Sequence, residues 1–180
     1  MKVKQVTSPS DFYLKFMSDP DYQKFKSKLQ TFMTSNSIKN VDVPIIGHVY
    51  GGISDLHRNK YVRVLVLSST NDANEYNCFE MDKGMETIYK SKQLYELPEE
   101  LIAFPARSVH ASLYGITPKN NKEWTMEAIM ELEQKICELK AEVINMEFDQ
   151  QKNHLKCFLI VDNVNVCDHL IENGFVNANE

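Results

Sequence analysis

Residue types that bind metal ions or attack substrates are present, but they are scattered along the chain. The histidines and cysteines are His48, His57, His110, His154, His169, Cys78, Cys137, Cys157 and Cys167. None of them forms the CxxC or HxxxH spacing that metal sites commonly use. Cys167 and His169 are close in sequence, but residues two apart on a helix do not face one another. The spacing therefore predicts no metal site.

Catalytic motifs are also absent from the sequence. It contains no GxSxG, no GxxxxGK[ST] and no GxGxxG pattern. The pair Gly51-Gly52 is typical of a backbone bend. The adjacent acids Glu99-Glu100 lie in a polar stretch, which indicates solvated side chains. We expect no enzymatic activity and no cofactor.

Composition narrows the class of protein further. The chain has 180 residues, of which 43% are hydrophobic and 25% charged, with a formal net charge of −5. These values are ordinary for a folded domain, and the acidic balance argues against a general nucleic-acid binder. No apolar run approaches the roughly 20 residues of a membrane span, and no signal peptide is evident. Cysteines in apolar contexts, without paired spacing, indicate a reducing intracellular compartment.

Changes in the spacing of apolar residues then predict the helices and strands that hold these residues. Ser18-Asp19-Pro20 is a helix start, with Asp19 as the cap. Apolar residues at helical spacing follow, and the helix should end near Asn36. Between 41 and 90 the period becomes two, which predicts a small barrel of short antiparallel strands. The expected strands are 43–50, 61–67, 75–81 and 85–89, with a tight turn at Asp82-Lys83-Gly84.

The remainder of the chain alternates strands and helices. A short strand is expected at 12–14, and another over 106–114. An amphipathic helix is expected over 123–139, with one buried stripe: Met126, Ile129, Leu132, Ile136 and Leu139. Two strands (141–148 and 155–161) and a final helix ending at Gly174 complete the order.

The order of several loose motifs over some 170 residues resembles that of a known family. They are, in chain order, Val6 to Tyr13, Tyr61-Val62-Arg63-Val64, Cys78 to Met85, Leu94 to Pro98, Val109 to Ile116 with Pro118, Trp124, and Val166 to Gly174. This arrangement is similar to that of extended Tudor domains, in which a Tudor barrel is inserted into a staphylococcal-nuclease-like fold.

The resemblance implies an α+β, mostly β fold. A Tudor-type barrel (41–90) would pack on a nuclease-like, OB-type lobe, and a long helix would join them. Residues 1–36 and 100–180 would form that lobe and the connecting helix, with 1–180 as a single domain. The implied function is non-enzymatic binding of Arg-rich peptides that carry symmetrically dimethylated arginine, such as the tails of Piwi-clade Argonautes. The implied location is cytoplasmic, in perinuclear germline granules of the piRNA gene-silencing pathway.

The residues that correspond to the family's aromatic cage depart from its pattern. Glu80 and Lys83 stand where aromatics are expected, and Met85 replaces the amide. Ile53 takes a further aromatic position, and the last one falls on Val62, or on Tyr61 with a one-residue slip. At best one ring remains. Each cation–π contact contributes about 0.5–2 kcal/mol, so we predict that methylated arginine is not recognised.

The predicted ligand site is the barrel mouth, with an apolar floor and acidic edges. Its residues are Ile53, Asp55, Tyr61, Val62, Glu80, Asp82, Lys83 and Met85. An unmodified arginine of a Piwi-clade Argonaute peptide would pair with Glu80 or Asp82 in bidentate geometry. The alternative for Asp82 is that it only caps the hairpin turn, and the alternative for Met85 is that it fills the core.

Two other functions stay open. The domain could be an oligomerisation or scaffold module of a germline-granule protein, with no peptide in the barrel, and other Tudor-scaffold proteins as partners. Nucleic-acid binding or residual nuclease activity is the third hypothesis, which the net charge opposes. Neither a membrane nor direct nucleic-acid contact is expected.

Overall fold

The computed structural model describes residues 1–17, 20–35, 38–55, 60–120, 122–137, 139–149 and 154–178. These residues form thirteen strands: β1 (Lys2–Ser8), β2 (Asp11–Lys15), β3 (Val49–Ser54), β4 (Lys60–Ser69), β5 (Glu75–Glu80), β6 (Met85–Lys90), β7 (Leu94–Tyr95), β8 (Ser108–Leu113), β9 (Ile116–Pro118), β10 (Glu142–Asp149), β11 (His154–Val161), β12 (Val164–Asn165) and β13 (Val176–Ala178). They also form four α-helices: α1 (Pro20–Met33), α2 (Glu99–Ile102), α3 (Met126–Ile136) and α4 (Val166–Glu172).

The chain divides into two units. The barrel unit comprises Ser18–Arg107, and the split unit comprises Met1–Met17 together with Ser108–Glu180. Helix α1, which we expected in the nuclease-like lobe, therefore groups with the barrel strands. No helix in the described ranges is long and apolar enough to cross a membrane.

The barrel unit is built on an antiparallel sheet with the order β6-β5-β4-β3-β7. Because side chains alternate along a strand, Val62, Val64 and Val66 of β4 share one face, where they form a core with Cys78 and Tyr89. The predicted turn between β5 and β6 is confirmed. Gly84 there has a φ of 73°, and its N–H donates to the carbonyl of Glu80 over 2.9 Å.

Helix α1 begins at Pro20 and ends at Met33. Its buried residues are Phe25, Leu29 and Met33, which pack with Leu97 and Leu101. The helix lies very close to β3, since a Cβ added at Gly51 would be 2.6 Å from the sulfur of Met33. The predicted cap Asp19 and the predicted end at Asn36 lie outside the described residues.

The split unit has its own sheet, in the order β1-β2-β8-β11-β10, with β12 paired to β11. Strands β8 and β11 run parallel, and the other neighbours are antiparallel. Helices α3 and α4 add Leu132, Ile136 and Leu170 to an apolar core. Each of these helices begins with a side-chain cap: Thr125 Oγ1 accepts from the N–H of Ala128, and the Asn165 side chain accepts from the N–H of Cys167.

Several boundaries differ from the sequence expectations. Strand β1 was not anticipated, and β3 begins only at Val49 because Pro44 and Gly47 (φ 83°) interrupt the extended segment before it. Helix α3 is shorter than predicted. Two residues of its expected buried stripe, Met126 and Leu139, are exposed.

The cysteines have no disulfide partners, and three of them are buried as expected. Burial raises the pKa of Cys78, Cys157 and Cys167 to about 12 in each case. These thiols therefore remain protonated at neutral pH, and they act as small apolar side chains in the two cores.

Candidate functional site

A cavity of about 220 Å³ lies within the barrel unit, between α1 and the ends of β4 and β5. Four of the eight predicted site residues line it: Tyr61, Val62, Asp82 and Lys83. The other lining residues are Lys60 of β4 and five residues of α1, none of which was predicted to take part. The structure therefore brings half of the predicted residues together, but against a helix that was expected in the other lobe.

Asp82 lies in this cavity's wall and forms a buried ion pair. Its Oδ2 accepts from Arg63 Nε over 2.9 Å, and its Oδ1 accepts from Nη2 over 2.7 Å. Arg63 is fully buried and Asp82 is 2% exposed. Both carboxylate oxygens are thus engaged by one guanidinium of the protein itself. The expectation that Asp82 offers its carboxylate to an incoming arginine is wrong.

The remaining donors of Arg63 hold the backbone at the end of α2 and just after it. Its Nη1 donates to the carbonyls of Leu101 (3.1 Å), Ile102 (3.3 Å) and Phe104, and its Nη2 donates to that of Pro105 (3.2 Å). The guanidinium carbon also lies 4.6 Å from the centre of the Phe25 ring. This cluster, which we call the Arg63 hub, fixes the floor of the cavity.

Glu80 is buried within the barrel and has no exposed surface. Its Oε1 accepts from Ser54 Oγ over 2.6 Å and from Tyr89 Oη over 2.8 Å. Burial, together with the charge of Glu80, raises the pKa of Tyr89 well above its usual range, so the phenol stays a donor. Glu80 therefore belongs to an internal hydrogen-bonded cluster. The expectation that it forms an accessible acidic edge is wrong.

The other predicted residues have different surroundings. Asp55 is exposed, and its Oδ2 accepts from Gln93 Nε2 over 3.0 Å. Val62 is buried in the barrel core, so it is not an open floor. Ile53 and Met85 are half-buried at the ends of β3 and β6. Of the three predicted acidic residues, Asp55 alone presents its side chain to solvent.

The rim of the cavity is basic rather than acidic. Lys26 of α1 and Lys60 of β4 are exposed, and Lys83 is half-buried. Lys26 was not predicted, because charge summed along segments of the chain does not show which residues meet in space. A helical spacing of four from Tyr22 to Lys26 to Gln30 was the available signal, since it places all three on one face.

The described residues contain no group of three or more His, Cys, Asp or Glu side chains arranged to hold a metal ion.

The barrel unit thus combines a five-stranded antiparallel sheet, the helix α1 and the buried Arg63–Asp82 pair. Residues 1–115 match the Tudor domain family, and the chain belongs to that family. No curated protein is significantly similar to the sequence.

Solved structures extend this assignment over nearly the whole chain, which has the extended Tudor fold. The human TDRD1 extended Tudor domain, in complex with a symmetrically dimethylated peptide, is 19% identical with a TM-score of 0.86, covering 99% of this chain and 88% of that one. The TD3 domain of mouse TDRD1, with a MILI peptide containing dimethylarginine, is 20% identical with a TM-score of 0.85, covering 99% and 92%. The extended Tudor domain of Drosophila melanogaster Tudor-SN is 17% identical with a TM-score of 0.82, covering 99% and 83%.

Proposed function

We propose that the chain is a non-enzymatic protein-interaction module that binds a peptide segment of a Piwi-type Argonaute, independently of arginine methylation. The similarity to two TDRD1 domains that hold dimethylated peptides supports peptide binding as the general activity. A partner of this kind would bring the protein to cytoplasmic germline granules, where other Tudor-scaffold proteins are further candidate partners.

The Glu80 cluster is the observation that carries the methylation-independent part of this proposal. Glu80 stands where the family resemblance places an aromatic ring, and it is held inside the barrel by Ser54 and Tyr89. Tyr61 is then the one ring among the predicted cage positions. Each aromatic face contributes about 0.5–2 kcal/mol to binding a cation. With a single ring, the protein therefore does not bind the dimethylated arginine more tightly than the unmodified one.

Asp55 is the group that would hold an unmodified arginine of the peptide. It replaces Glu80 and Asp82 in this role because both of those side chains are buried and bonded inside the protein. An unmodified guanidinium keeps all five N–H donors, and it can bind a carboxylate through two of them. Gln93 already orients the Asp55 side chain.

Calorimetric titration with an Argonaute tail peptide tests the proposal. The unmodified peptide and its symmetrically dimethylated form should bind with affinities equal within about twofold, a difference of roughly 0.4 kcal/mol. Asp55→Asn should weaken both, and Asp72→Asn, an exposed acid on a different loop, should weaken neither. A clear preference for the dimethylated peptide contradicts methylation independence, and no binding of either peptide contradicts peptide recognition.

A scaffold function is the second candidate, and one observation favours it. Val43, Ile45 and Ile46, next to Pro44, are 74%, 54% and 58% exposed in the segment before β3. Contiguous exposed apolar side chains mark association surfaces. Sedimentation velocity over about a hundredfold range of concentration tests it, since self-association at micromolar affinity would appear within that range. A mass that stays monomeric throughout contradicts self-association.

A further inference from the structure

Two exposed lysines, Lys26 and Lys60, line the cavity. In the part of the chain that the structure describes, no carboxylate lies within ion-pair distance of Lys26 or Lys60. The acid in the cavity wall, Asp82, is neutralised by Arg63 over 2.7 Å. The mouth of the cavity therefore carries a local positive potential, although the whole chain has a net charge of −5.

Beneath the lysines the cavity has an ordered aromatic wall. Tyr22 and Phe25 line the cavity, with their ring centres 6.0 Å apart. Phe104, which does not line it, stacks on Phe25 with ring centres 4.2 Å apart. Arg107 lies over the Tyr22 ring, 5.2 Å from its centre. Leu29, which is also buried in the same cluster, completes the apolar part. Because these groups are packed against one another, the cavity is preformed rather than created by a ligand.

A hydroxyl donor also belongs to this wall. Burial, with a further contribution from the charge of Asp82, raises the pKa of Tyr22 to about 12. Its phenol is therefore protonated at neutral pH, and it can donate a hydrogen bond to an anion. A ligand that satisfies the whole cavity needs an apolar group for the wall and negative charges for the rim.

We propose that this cavity is a binding site for an acidic peptide segment, with one aromatic or aliphatic side chain in the cavity and flanking carboxylates or phosphates on Lys26 and Lys60. The site is distinct from the arginine contact at Asp55. It does not depend on the identity of the Argonaute partner. The ligand charge is opposite to that of a methylarginine peptide.

A peptide fits these observations better than a nucleic acid does. Nucleic-acid surfaces need basic groups spread along a backbone of closely spaced phosphates, whereas here the lysines surround a single small cavity. An acidic peptide of a few residues places its charges only where the lysines are.

Fluorescence anisotropy with short labelled peptides tests the site. The first probe has a central phenylalanine flanked by glutamates, the second replaces the glutamates by phosphoserines, and the third replaces them by lysines. We expect both acidic probes to bind and the lysine probe to fail. Binding should weaken at least about tenfold between low and high salt, because exposed charges are screened. Failure of both acidic probes overturns the proposal.

Charge reversal on α1 supplies a matched pair of variants. Lys26→Glu reverses a rim lysine, and Lys28→Glu reverses an exposed lysine of the same helix that does not line the cavity. Both change the net charge equally. We expect Lys26→Glu and Lys60→Glu each to weaken the acidic probes at least about tenfold and Lys28→Glu less than about twofold. Equal losses from the two α1 variants would show an unspecific charge effect and overturn the site.

Further measurements distinguish a loss of peptide binding from unfolding and from binding of nucleic acid. Lys26→Gln removes the charge without adding repulsion, so it serves if Lys26→Glu unfolds, as judged by circular dichroism. A single-stranded oligouridylate of matched charge is the nucleic-acid arm. Tighter binding of this RNA than of the acidic peptides, lost in Lys26→Gln, would reassign the cavity and overturn the peptide proposal. Asp55→Asn should leave the acidic probes unaffected, which separates this site from the proposed Argonaute contact.

Discussion

The two units of the chain bury polar groups in different ways. Of the described residues, the buried charged side chains are Arg63, Glu80 and Asp82, and all three belong to the barrel unit. Within its described ranges, the split unit buries the hydroxyls of Ser108 and Ser112 as its polar side chains, in a large apolar core. Its ion pairs lie nearer the surface.

One ion pair from each unit shows the difference in exposure. Lys156 and Glu147 of the split unit are 2.9 Å apart, but their side chains are 46% and 59% exposed, so water competes for both. Arg63 and Asp82 form a contact of 2.7 Å with almost no exposure of either side chain. A buried pair of this kind persists only if its hydrogen bonds are well satisfied, and removal of one partner leaves a charge without compensation.

The largest expected effect is that of Asp82→Asn. The change removes the carboxylate and leaves the buried guanidinium of Arg63 uncompensated, so we expect a loss of about 3–5 kcal/mol in the free energy of unfolding. Urea denaturation followed by circular dichroism measures it. Hydrogen exchange should locate the fastest new opening in the 101–105 segment. A loss below about 1 kcal/mol would mean that the Arg63 hub does not hold the unit together.

A substitution that creates a cavity in the apolar core of the split unit should lower the free energy of unfolding somewhat less than Asp82→Asn does. Leu132 is fully buried in α3, and Leu132→Ala removes several of its contacts. We expect a loss of about 3 kcal/mol in the free energy of unfolding, because the transfer free energy and the cavity both count. Urea denaturation measures it. Met130→Ala, on the exposed side of the same helix, is the control and should change little. Similar losses for both would contradict the conclusion that burial of Leu132 in the core distinguishes it from the exposed Met130.

The Glu80 cluster gives a smaller, polar effect within the barrel. Tyr89→Phe keeps the ring and removes one of the hydroxyl donors to Glu80 Oε1. We expect a loss of about 1–2 kcal/mol, as for a buried acceptor that loses a donor. Tyr95→Phe, at a half-buried tyrosine of β7, should have less than half of this effect. An unchanged denaturation midpoint for Tyr89→Phe would contradict a structural role for the cluster.

The smallest expected effect is at the exposed pair of the split unit. Lys156→Gln should lower the free energy of unfolding by less than about 1 kcal/mol, and the loss should vanish in concentrated salt. Thermal denaturation at low and high salt measures it. A loss comparable with that of Asp82→Asn would remove the contrast between the two units.

The apolar pattern of the sequence was enough to predict much of the fold. Alternation along β4 correctly placed a strand there, and the Asp82-Lys83-Gly84 turn formed as expected. The spacing of Phe25, Leu29 and Met33 predicted the buried face of α1. These predictions succeed because burial of apolar side chains leaves a regular period in the sequence.

The partner of a buried charged residue leaves no such period in the sequence. For this reason the prediction that Glu80 and Asp82 are accessible to a ligand was wrong. Arg63 and Asp82 are 19 positions apart, and carboxylates are expected at the surface by default. One local signal was available. Arg63 is the only charged residue within a run of β-branched and apolar side chains in β4, which is an unusual position unless a buried partner exists. The basic rim needed the three-dimensional structure, because Lys26 and Lys60 come from separate elements.

The Arg63 hub has a consequence for how the sequence of this region can vary. Its further donor contacts are to backbone carbonyls at the end of α2 and just after it, and every residue type carries the same carbonyl group. The half-buried side chains of this segment, such as that of Ile102, can consequently be substituted without loss of these hydrogen bonds. Insertion or deletion of a single residue is not tolerated in the same way, since it would move several acceptors out of register with one rigid guanidinium. The hub thus constrains the length of this segment more strongly than its composition.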